Sequence, residues 1–169
     1  MTHLQQLIDD ADRDGIDKLV VGAVVHSGGQ VLILRRTVDD FMGGIEELPS
    51  GGVEGGEDLL QALARELAEE IGWHHPLTVE PGFAATFDYT SGSGRAARQL
   101  TFAVSAPDRA VTLSAEHTAC RWIDPADADD TDLTPESVQI IRAWAQHTIQ
   151  QDGEPVRACH LKCVKILSE

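Results

Sequence analysis

The stretch that decides the fold is GGVEGGEDLLQALARELAEEIGW, residues 51–73, in which a glycine-rich segment runs directly into a helical pattern. At about 100° of rotation per helical residue, Leu63, Leu67 and Ile71 fall on one apolar stripe, which predicts an amphipathic helix that faces a core. Gly72 follows the last periodic residue and is typical of a helix end, because glycine tolerates the left-handed conformation there. The stretch therefore predicts a loop followed by a surface helix.

This helix, predicted over residues 58–71, carries a second stripe that is acidic. Glu66 lies three residues before Glu69 and four before Glu70, so the three side chains are neighbours on the helix surface. Like charges at these spacings cost a helix about 0.2–0.5 kcal/mol per pair. An acidic helix face is most often simply solvated, so the cluster alone leaves a solvated surface and a metal-binding site both open.

The residues around these glutamates distinguish the two alternatives. Seven positions fit one pattern, and at about one chance in fifteen for each match a coincidental full set has odds of about one in 10⁸. The matching residues are Gly51, Glu57, Arg65, Glu66, Glu69, Glu70 and Gly72. With Leu67 and Trp73 at its two bulky apolar positions, the stretch resembles the signature of the Nudix hydrolases. Trp73 is a mild departure, because an aliphatic residue is commoner there.

The order of the elements around the motif also resembles this family, with a strand hairpin before it, further strands after it and a closing helix. The resemblance implies an α+β fold, the Nudix αβα sandwich with a mixed β-sheet between helices. The predicted organisation is an N-terminal helical extension over residues 1–17, a Nudix hydrolase domain over 18–150 and a C-terminal tail over 151–169 that packs on the domain.

Patterns outside the motif predict the remaining elements. Two apolar runs flank Ser27-Gly28-Gly29 and predict a β-hairpin, whereas residues 39–56 are glycine-rich and predict a loop. Thr134 as N-cap and Pro135 at the first helical position predict a long helix that ends at Gln150. Three further segments predict strands, over 82–90, 98–106 and 118–124.

The resemblance also assigns roles at the matching positions. It implies five metal ligands: the Gly51 backbone carbonyl, Glu57, Glu66, Glu69 and Glu70. The three helix glutamates are also implied as catalytic residues, and Arg65 as the catalytic-site partner that orients them. Mg²⁺, with Mn²⁺ as an alternative, is the implied cofactor, since hard dications prefer carboxylate and carbonyl oxygens.

The general base is less determined than the metal ligands. In the family it is either a helix glutamate or a glutamate from a loop after the motif. Glu116 is a candidate for the second arrangement, although a plain surface acid is the commoner role for such a residue. Its neighbour His117 is predicted to be a turn or packing residue.

Composition limits the partners of the chain. The 28 acidic residues outnumber the 13 basic ones and give a formal net charge of −15, which repels duplex nucleic acid and anionic membranes and predicts that neither is a partner. Bound cations would reverse that repulsion locally for a phosphate-bearing substrate. The N-terminus lacks the pattern of an export signal and three cysteines form no paired framework, which predicts a cytoplasmic protein. The terminal segments leave a homodimer contact open.

The implied activity is Mg²⁺-dependent hydrolysis of a pyrophosphate bond in a nucleoside diphosphate linked to another group, with nucleoside triphosphates, including oxidised ones, as the substrate. Tyr89 stands where dinucleoside polyphosphate hydrolases tend to have a tyrosine, and Asp88 where ADP-ribose pyrophosphatases have a proline. A dinucleoside polyphosphate or nucleotide-sugar pyrophosphatase and a non-catalytic ligand-binding domain are the alternatives. Isoprenoid diphosphate isomerisation needs a cysteine before the motif, and the first cysteine is Cys120.

Four residues outside the motif have both an ordinary and a functional interpretation. Arg35 and Arg36 are either surface residues or phosphate contacts, and Phe87 and Tyr89 either pack in the core or stack a base. Cys120 is predicted to be buried filler in a strand.

Overall fold

The computed structural model describes residues 3–39 and 42–153. Its helices are α1 (His3–Arg13), α2 (Leu59–Ile71) and α3 (Pro135–Gly153), with a 3₁₀ helix at Pro125–Asp130. Its strands are β1 (Lys18–Ser27), β2 (Gln30–Arg36), β3 (Glu46–Glu47), β4 (Ser50–Gly52), β5 (Val79–Thr90), β6 (Ala96–Ser105) and β7 (His117–Ile123).

All of these described strands belong to one mixed sheet. Five follow the order β3-β2-β1-β6-β5, while β4 pairs with β1 and β7 pairs with β2. The long central pair β1 and β6 is parallel, and the other pairs are antiparallel. The predicted α+β class with a mixed sheet is confirmed.

The two faces of the sheet are covered by different helices. On β1, Val21 and Val25 pack in the cluster that includes the apolar stripe of α2, whereas Val24 packs with Ile141 and Trp144 of α3. Successive strand residues point to opposite faces, so this alternation sorts one apolar strand into two cores. The chain therefore forms the αβα sandwich that the family resemblance implies.

The hairpin between β1 and β2 turns at Gly28 and Gly29, whose φ angles are +58° and +79°. A two-residue turn with positive φ at both positions matches the right-handed twist of the flanking strands. The pairing is short: His26 and Ser27 of β1 pair with β2, whereas residues 20–22, earlier in the same strand, pair with β4.

The prediction of a loop over residues 39–56 is wrong in part, because this segment contains β3 and β4. Both strands are very short and carry no repeating pattern. They form because β2 and β1 offer free edges to which Glu46–Glu47 and Ser50–Gly52 pair. Such pairing depends on distant residues and leaves no local signal.

The helix α2 begins and ends where its capping residues dictate. Asp58 is the N-cap and forms a capping box with Gln61, in which each side chain accepts a hydrogen bond from the other's backbone N–H. Gly72 ends the helix in the left-handed conformation, with φ +69°. Both ends are specified locally, which explains why the predicted bounds agree with the structure.

The terminal segments are described only in part. The helix α1 lies in the predicted extension and buries Leu7 and Ala11, and α3 extends to Gly153. The predicted packing of the tail falls mostly on residues 154–169, which lie outside the described residues. Among the helices that the structure describes, none combines the length and the apolar composition needed to cross a membrane.

Candidate active site

The acidic stripe of α2 is graded in burial rather than uniformly exposed. Glu69 faces solvent, Glu66 is half-buried, and Glu70 is only 5% exposed. The reason is helical geometry, because Glu70 lies beside Leu63 and Leu67 at the border of the apolar stripe. The gradation places one carboxylate inside the protein, where its charge is costly unless it is compensated.

Arg65 connects the glutamates to the loop before the helix. Its Nε and Nη2 donate to both oxygens of Glu57 at 2.7 and 3.0 Å, and its Nη1 donates to Glu66 Oε1 at 2.7 Å. Nη1 also approaches Glu69 at 3.4 Å, and Nη2 donates to the Gly52 carbonyl at 2.8 Å. The planar guanidinium therefore holds the carboxylates in place relative to β4.

Gly51 leaves the space that the Glu66 carboxylate occupies. A Cβ atom added at Gly51 would lie 2.0–2.2 Å from the carboxylate atoms of Glu66, far inside van der Waals contact. Every residue other than glycine would therefore displace Glu66 or the strand. This close approach is a physical reason for glycine at this position of the motif.

The backbone of β4 alternates between β1 and the glutamates. Pro49 and Val53, just before and just after β4, are hydrogen-bonded to β1. Because bonded pairs alternate along an antiparallel ladder, Gly51 also directs its N–H and C=O at β1, whereas Ser50 and Gly52 direct theirs away. The Ser50 N–H accordingly donates to an oxygen of a helix glutamate at 2.9 Å. The Ser50 carbonyl thus points to the side of the helix glutamates, whereas the carbonyl of Gly51, the predicted ligand, points to β1.

Glu70 accepts the hydrogen bond from the Ser50 N–H, and its surroundings disfavour a negative charge on its carboxylate. Burial is the main cause that raises the pKa of Glu70 to about 8, and the charges of Glu47, Glu66 and Glu116 raise it further. The hydrogen bond from Ser50 opposes this shift only in part. The site therefore resists a full set of negative charges when no cation is present.

The effect of Arg65 on the pKa of the other carboxylates depends on how deeply each is buried. Burial raises the pKa of Glu66 despite the hydrogen bond from Arg65, and the charges of Glu69 and Glu116 act in the same direction. Arg65 lowers the pKa of Glu57, which also accepts a hydrogen bond from the Glu54 N–H at 3.1 Å. Glu57 is thus held as the anionic partner of Arg65.

Two residues at the site carry functional groups that sequence reasoning missed. Glu47 Oε1 lies 2.8 Å from Nε2 of His117, whose side chain is fully buried, and the same nitrogen lies 4.0 Å from Glu70 Oε1. One ligand atom from each of the three residues lies within 4.8 Å of the others. Arg36 also donates to both oxygens of Glu47, at 3.0 and 3.2 Å. Glu47 and His117 are 70 residues apart, so no local pattern could have joined them.

Glu116 is exposed and comes just before β7. Its negative charge acts on both Glu66 and Glu70, so its carboxylate faces the same space. The loop that carries Glu116 is anchored to the end of α2, since the Ser114 N–H donates to the Glu70 carbonyl at 3.1 Å. The candidate general base therefore lies near the helix glutamates, and its role stays a prediction.

The remaining candidate residues lie in different environments. Arg35 pairs with Glu46 and Asp132, so its charge is used in the structure. Cys120 is exposed on β7 and the prediction that it is buried is wrong, because residues 118–121 of this edge strand are exposed on both faces of the sheet. Phe87 is half-buried and packs against the α3 core.

The donor set fits a hard divalent cation. Carboxylate oxygens converge from α2, β3 and the loop before β7. The pKa of the buried Glu70 is raised mainly by its burial and further by the neighbouring negative charges. Within residues 3–39 and 42–153, the one ion-pair partner of Glu70 is His117, at the outer limit of 4.0 Å. A bound dication would supply the missing charge, which is why such sites accept clustered acids.

Comparisons with known proteins agree with this geometry. The family model described as NUDIX domain matches residues 17–144. The chain is 32% identical over 126 residues to CTP pyrophosphohydrolase of Escherichia coli strain K12, which covers 74% of this chain and 89% of that protein. It is 38% identical over 55 residues to 8-oxo-dGTP diphosphatase of the same strain, which covers 32% of this chain and 43% of that protein. The solution structure of the E. coli ORF135 protein has a TM-score of 0.63 and 28% identity, and covers 83% of this chain and 98% of that one.

Proposed function

Since this chain belongs to the Nudix family and is a hydrolase, we propose that it cleaves a pyrophosphate bond in a nucleoside triphosphate in a Mg²⁺-dependent reaction. The wider substrate class is a nucleoside diphosphate linked to another group. The single observation that carries the proposal is the convergence of Glu66 and Glu70 on the backbone of β4, with Arg65 holding the geometry.

The residues that would hold Mg²⁺ are the helix glutamates Glu66, Glu69 and Glu70, together with the Ser50 carbonyl and, at a second position, Glu57 or Glu47. The bound cation would neutralise diphosphate oxygens and lower the pKa of a water molecule, which is the chemistry that Mg²⁺ supplies in hydrolases. Mn²⁺ has the same preference for oxygen ligands and is the alternative.

The side chains of the site have separate tasks in this reaction. Arg65 keeps Glu66 and Glu57 in one orientation, so their oxygens need not reorganise when substrate binds. Glu116 is exposed beside the cluster and accepts the proton of the attacking water at a carboxylate oxygen. Glu70, whose carboxylate is buried and fixed by the Ser50 N–H, serves to hold position rather than to exchange protons.

The substrate is argued from the relatives. One of the relatives described above is a CTP pyrophosphohydrolase and another is an 8-oxo-dGTP diphosphatase. A nucleoside triphosphate, with either an ordinary or an oxidised base, is therefore the first choice. Tyr89 supports a dinucleoside polyphosphate as the second choice, and a nucleotide sugar is the third. Since all three helix glutamates are present, a non-catalytic ligand-binding domain is less favoured.

A substrate panel tests the proposal. The release of nucleoside monophosphate and of phosphate is measured for nucleoside triphosphates, dinucleoside polyphosphates and nucleotide sugars, with Mg²⁺ and with EDTA. We expect turnover of a triphosphate with Mg²⁺, no turnover with EDTA, and a loss of more than about 100-fold in Glu69→Gln and Glu70→Gln variants that remain folded. Reaction in ¹⁸O-water then identifies the attacked phosphorus. If no compound is turned over with any dication, the ligand-binding alternative takes its place.

A further inference from the structure

The sheet face that packs against α3 carries a buried polar side chain with unused hydrogen-bonding capacity. Gln99 on β6 is only 9% exposed, and its Nε2 donates to Thr101 Oγ1 at 3.2 Å. Among the described residues this is the one hydrogen bond that the Gln99 carboxamide makes, so its oxygen and its second N–H have no protein partner. The Gln99 oxygen is not among the described side-chain atoms that are buried without a partner, so it opens to solvent and is free to accept a hydrogen bond from a ligand.

The neighbouring strand makes room for this carboxamide. A Cβ atom added at Gly22 of β1 would lie 2.7 Å from Gln99 Nε2 and 3.1 Å from Thr101 Oγ1. The side chain of Gln99 therefore lies flat across the Gly22 backbone instead of standing up from the sheet. Its position is fixed on one side by the missing Gly22 side chain and on the other by Thr101.

An aromatic surface borders the same position. Phe87 of β5 pairs directly with Gln99 and is half-buried, and the ring of Tyr89 lies 5.7 Å from that of Phe87 at a tilt of 34°. The helix α3 meets β5 at Glu80, through Trp144, and at Phe83, through His147. Both residues precede Phe87 along the strand, and Phe87 borders the α3 core. An aromatic ring beside a free carboxamide is the combination that binds the face and the edge of a nucleobase.

The register of the sheet links this surface to the active site. Thr101 pairs with Gly22, and Gly22 pairs with Ser50, whose N–H binds Glu70. The strand β4, whose backbone binds Glu70, is two strands away from β6. Adjacent strands are about 4.8 Å apart, so the Gln99 carboxamide is about 10 Å from β4. A nucleoside whose base lies at Gln99 would thus extend its phosphates across the β4 edge.

A cation lies along that path. Lys18 approaches Gly52 of β4 from the same face, with its Cε 3.3 Å and its Nζ 3.8 Å from the position of an added Cβ. Within the described residues Lys18 forms no ion pair, so its ammonium is available for a phosphate. In a chain with a net charge of −15, an unpaired cation between the carboxamide and the acidic cluster favours an anionic ligand.

We propose that Gln99 is the specificity-determining residue of the site and reads the edge of the substrate's nucleobase, with Phe87 against the base and Lys18 on the phosphates. This inference rests on the proposed pyrophosphohydrolase function and names its substrate class as nucleotides of cytosine or adenine. Both bases present an amino group beside a bare ring nitrogen. The free oxygen of the carboxamide accepts from the amino group, and its free N–H donates to the ring nitrogen.

Two replacements of Gln99 with opposite chemistry test the proposal. Gln99→Leu keeps the size and removes both hydrogen bonds, so kcat/KM for CTP and ATP should fall about tenfold or more and approach that for UTP and GTP. Gln99→Glu keeps an acceptor but loses the donor, so kcat/KM should fall for CTP and ATP. It should rise for GTP, because guanine offers two adjacent N–H donors to the carboxylate. Gln139→Glu, on an exposed position of α3, is the control and should leave all four ratios unchanged.

Binding without catalysis provides a second measurement. Titration of CMP into wild-type protein in EDTA should give a dissociation constant that Gln99→Leu weakens about tenfold, while Phe87→Leu weakens CMP and UMP alike. Unchanged base preference and unchanged CMP binding in both Gln99 variants, or a wild-type protein that prefers UTP and GTP, would overturn this proposal alone. Wild-type protein that binds CMP through Gln99 but hydrolyses no nucleotide would instead contradict the proposed function.

Discussion

At the scale of single residues, the charge of Glu70 makes a testable contribution to stability. Its pKa is raised to about 8 from an ordinary value of 4.5, so the metal-free folded protein binds this proton more tightly than the unfolded chain does. The contribution of the group to the free energy of unfolding is therefore fully present below pH 4.5 and is lost as the pH rises through 8. Burial is the first cause of this pH dependence.

Glu70→Gln should accordingly stabilise the metal-free protein at pH 8 by about 1–3 kcal/mol and have little effect at pH 5. The amide keeps an oxygen that can accept from the Ser50 N–H. Denaturant unfolding in EDTA at both pH values measures the difference. Glu69→Gln removes the same charge from an exposed position and should change the stability little at either pH. Equal effects of the two replacements would contradict the electrostatic explanation.

A second residue-scale prediction concerns the contact between Gly51 and Glu66. Gly51→Ala should reduce kcat by about 100-fold or more, because the added methyl group occupies the position of the Glu66 carboxylate. It should also weaken Mn²⁺ binding measured by electron paramagnetic resonance. Gly55→Ala is the matched control in the same loop, since nothing lies within 4 Å of its added Cβ. Full activity in the Gly51 variant would show that the contact is not required.

At the scale of elements, the end of α2 is held by a turn and by a contact with the loop that leads to Glu116. Gly72 has φ +69°, and a Cβ added there would lie 2.9 Å from Thr112 Cβ. Gly15 ends α1 with a similar φ of +73° but has nothing within 4 Å of an added Cβ. Substitutions at the two glycines therefore distinguish the cost of backbone strain from the cost of steric contact.

Gly15→Ala should cost about 1 kcal/mol through backbone strain alone, whereas Gly72→Ala should cost about 2–3 kcal/mol because it also displaces the loop. Thermal and denaturant unfolding give both values. Gly72→Ala should in addition lower activity, since that loop carries Glu116. If the two replacements cost the same, the contact with Thr112 is too soft to matter.

The elements also show what could be predicted from the sequence. The helix α2 and the β1–β2 turn were predicted because their signals, a cap, an apolar period and a glycine pair, lie within the elements themselves. The strands β3 and β4 were missed because they exist only through pairing with β2 and β1. The same reason hid Glu47 beside His117, whereas Arg65, Glu66 and Glu70 belong to a single local motif.

The exposed position of Cys120 was missed for a related reason. An apolar run with a cysteine predicts a strand, and the strand is present, but its place at the outer edge of the sheet depends on the order of all the strands. Likewise, the direction of the Ser50 and Gly51 carbonyls follows from the ladder with β1. The sequence indicates which side chains are candidates for the site, and the strand topology decides which backbone atoms of the loop face them.

At the scale of the whole molecule, the net charge of −15 and the acidic cluster predict different responses to salt and to dications. NaCl screens the general repulsion, whereas Mg²⁺ also binds at the site and stabilises the folded state by mass action. At equal ionic strength, MgCl₂ should raise the midpoint of thermal unfolding by several degrees more than NaCl, at about 2–4 °C per kcal/mol.

The difference should disappear in a Glu66→Gln, Glu70→Gln double variant, which lacks two of the proposed ligands but folds around the same sheet. Differential scanning calorimetry in the two salts measures it. An equal response to both salts in the wild-type protein would mean that screening alone is at work and that the cluster binds no dication under these conditions.

One strand carries the connection between β6 and β4. Gly22 of β1 stands between Thr101 on one side and Ser50 on the other, so the part proposed to recognise the base and the part proposed to cleave the phosphate share a backbone but no side chains. The two parts are therefore separable in protein engineering. Libraries confined to β5 and β6 could retarget such an enzyme to new nucleotides while its hydrolytic machinery stays untouched.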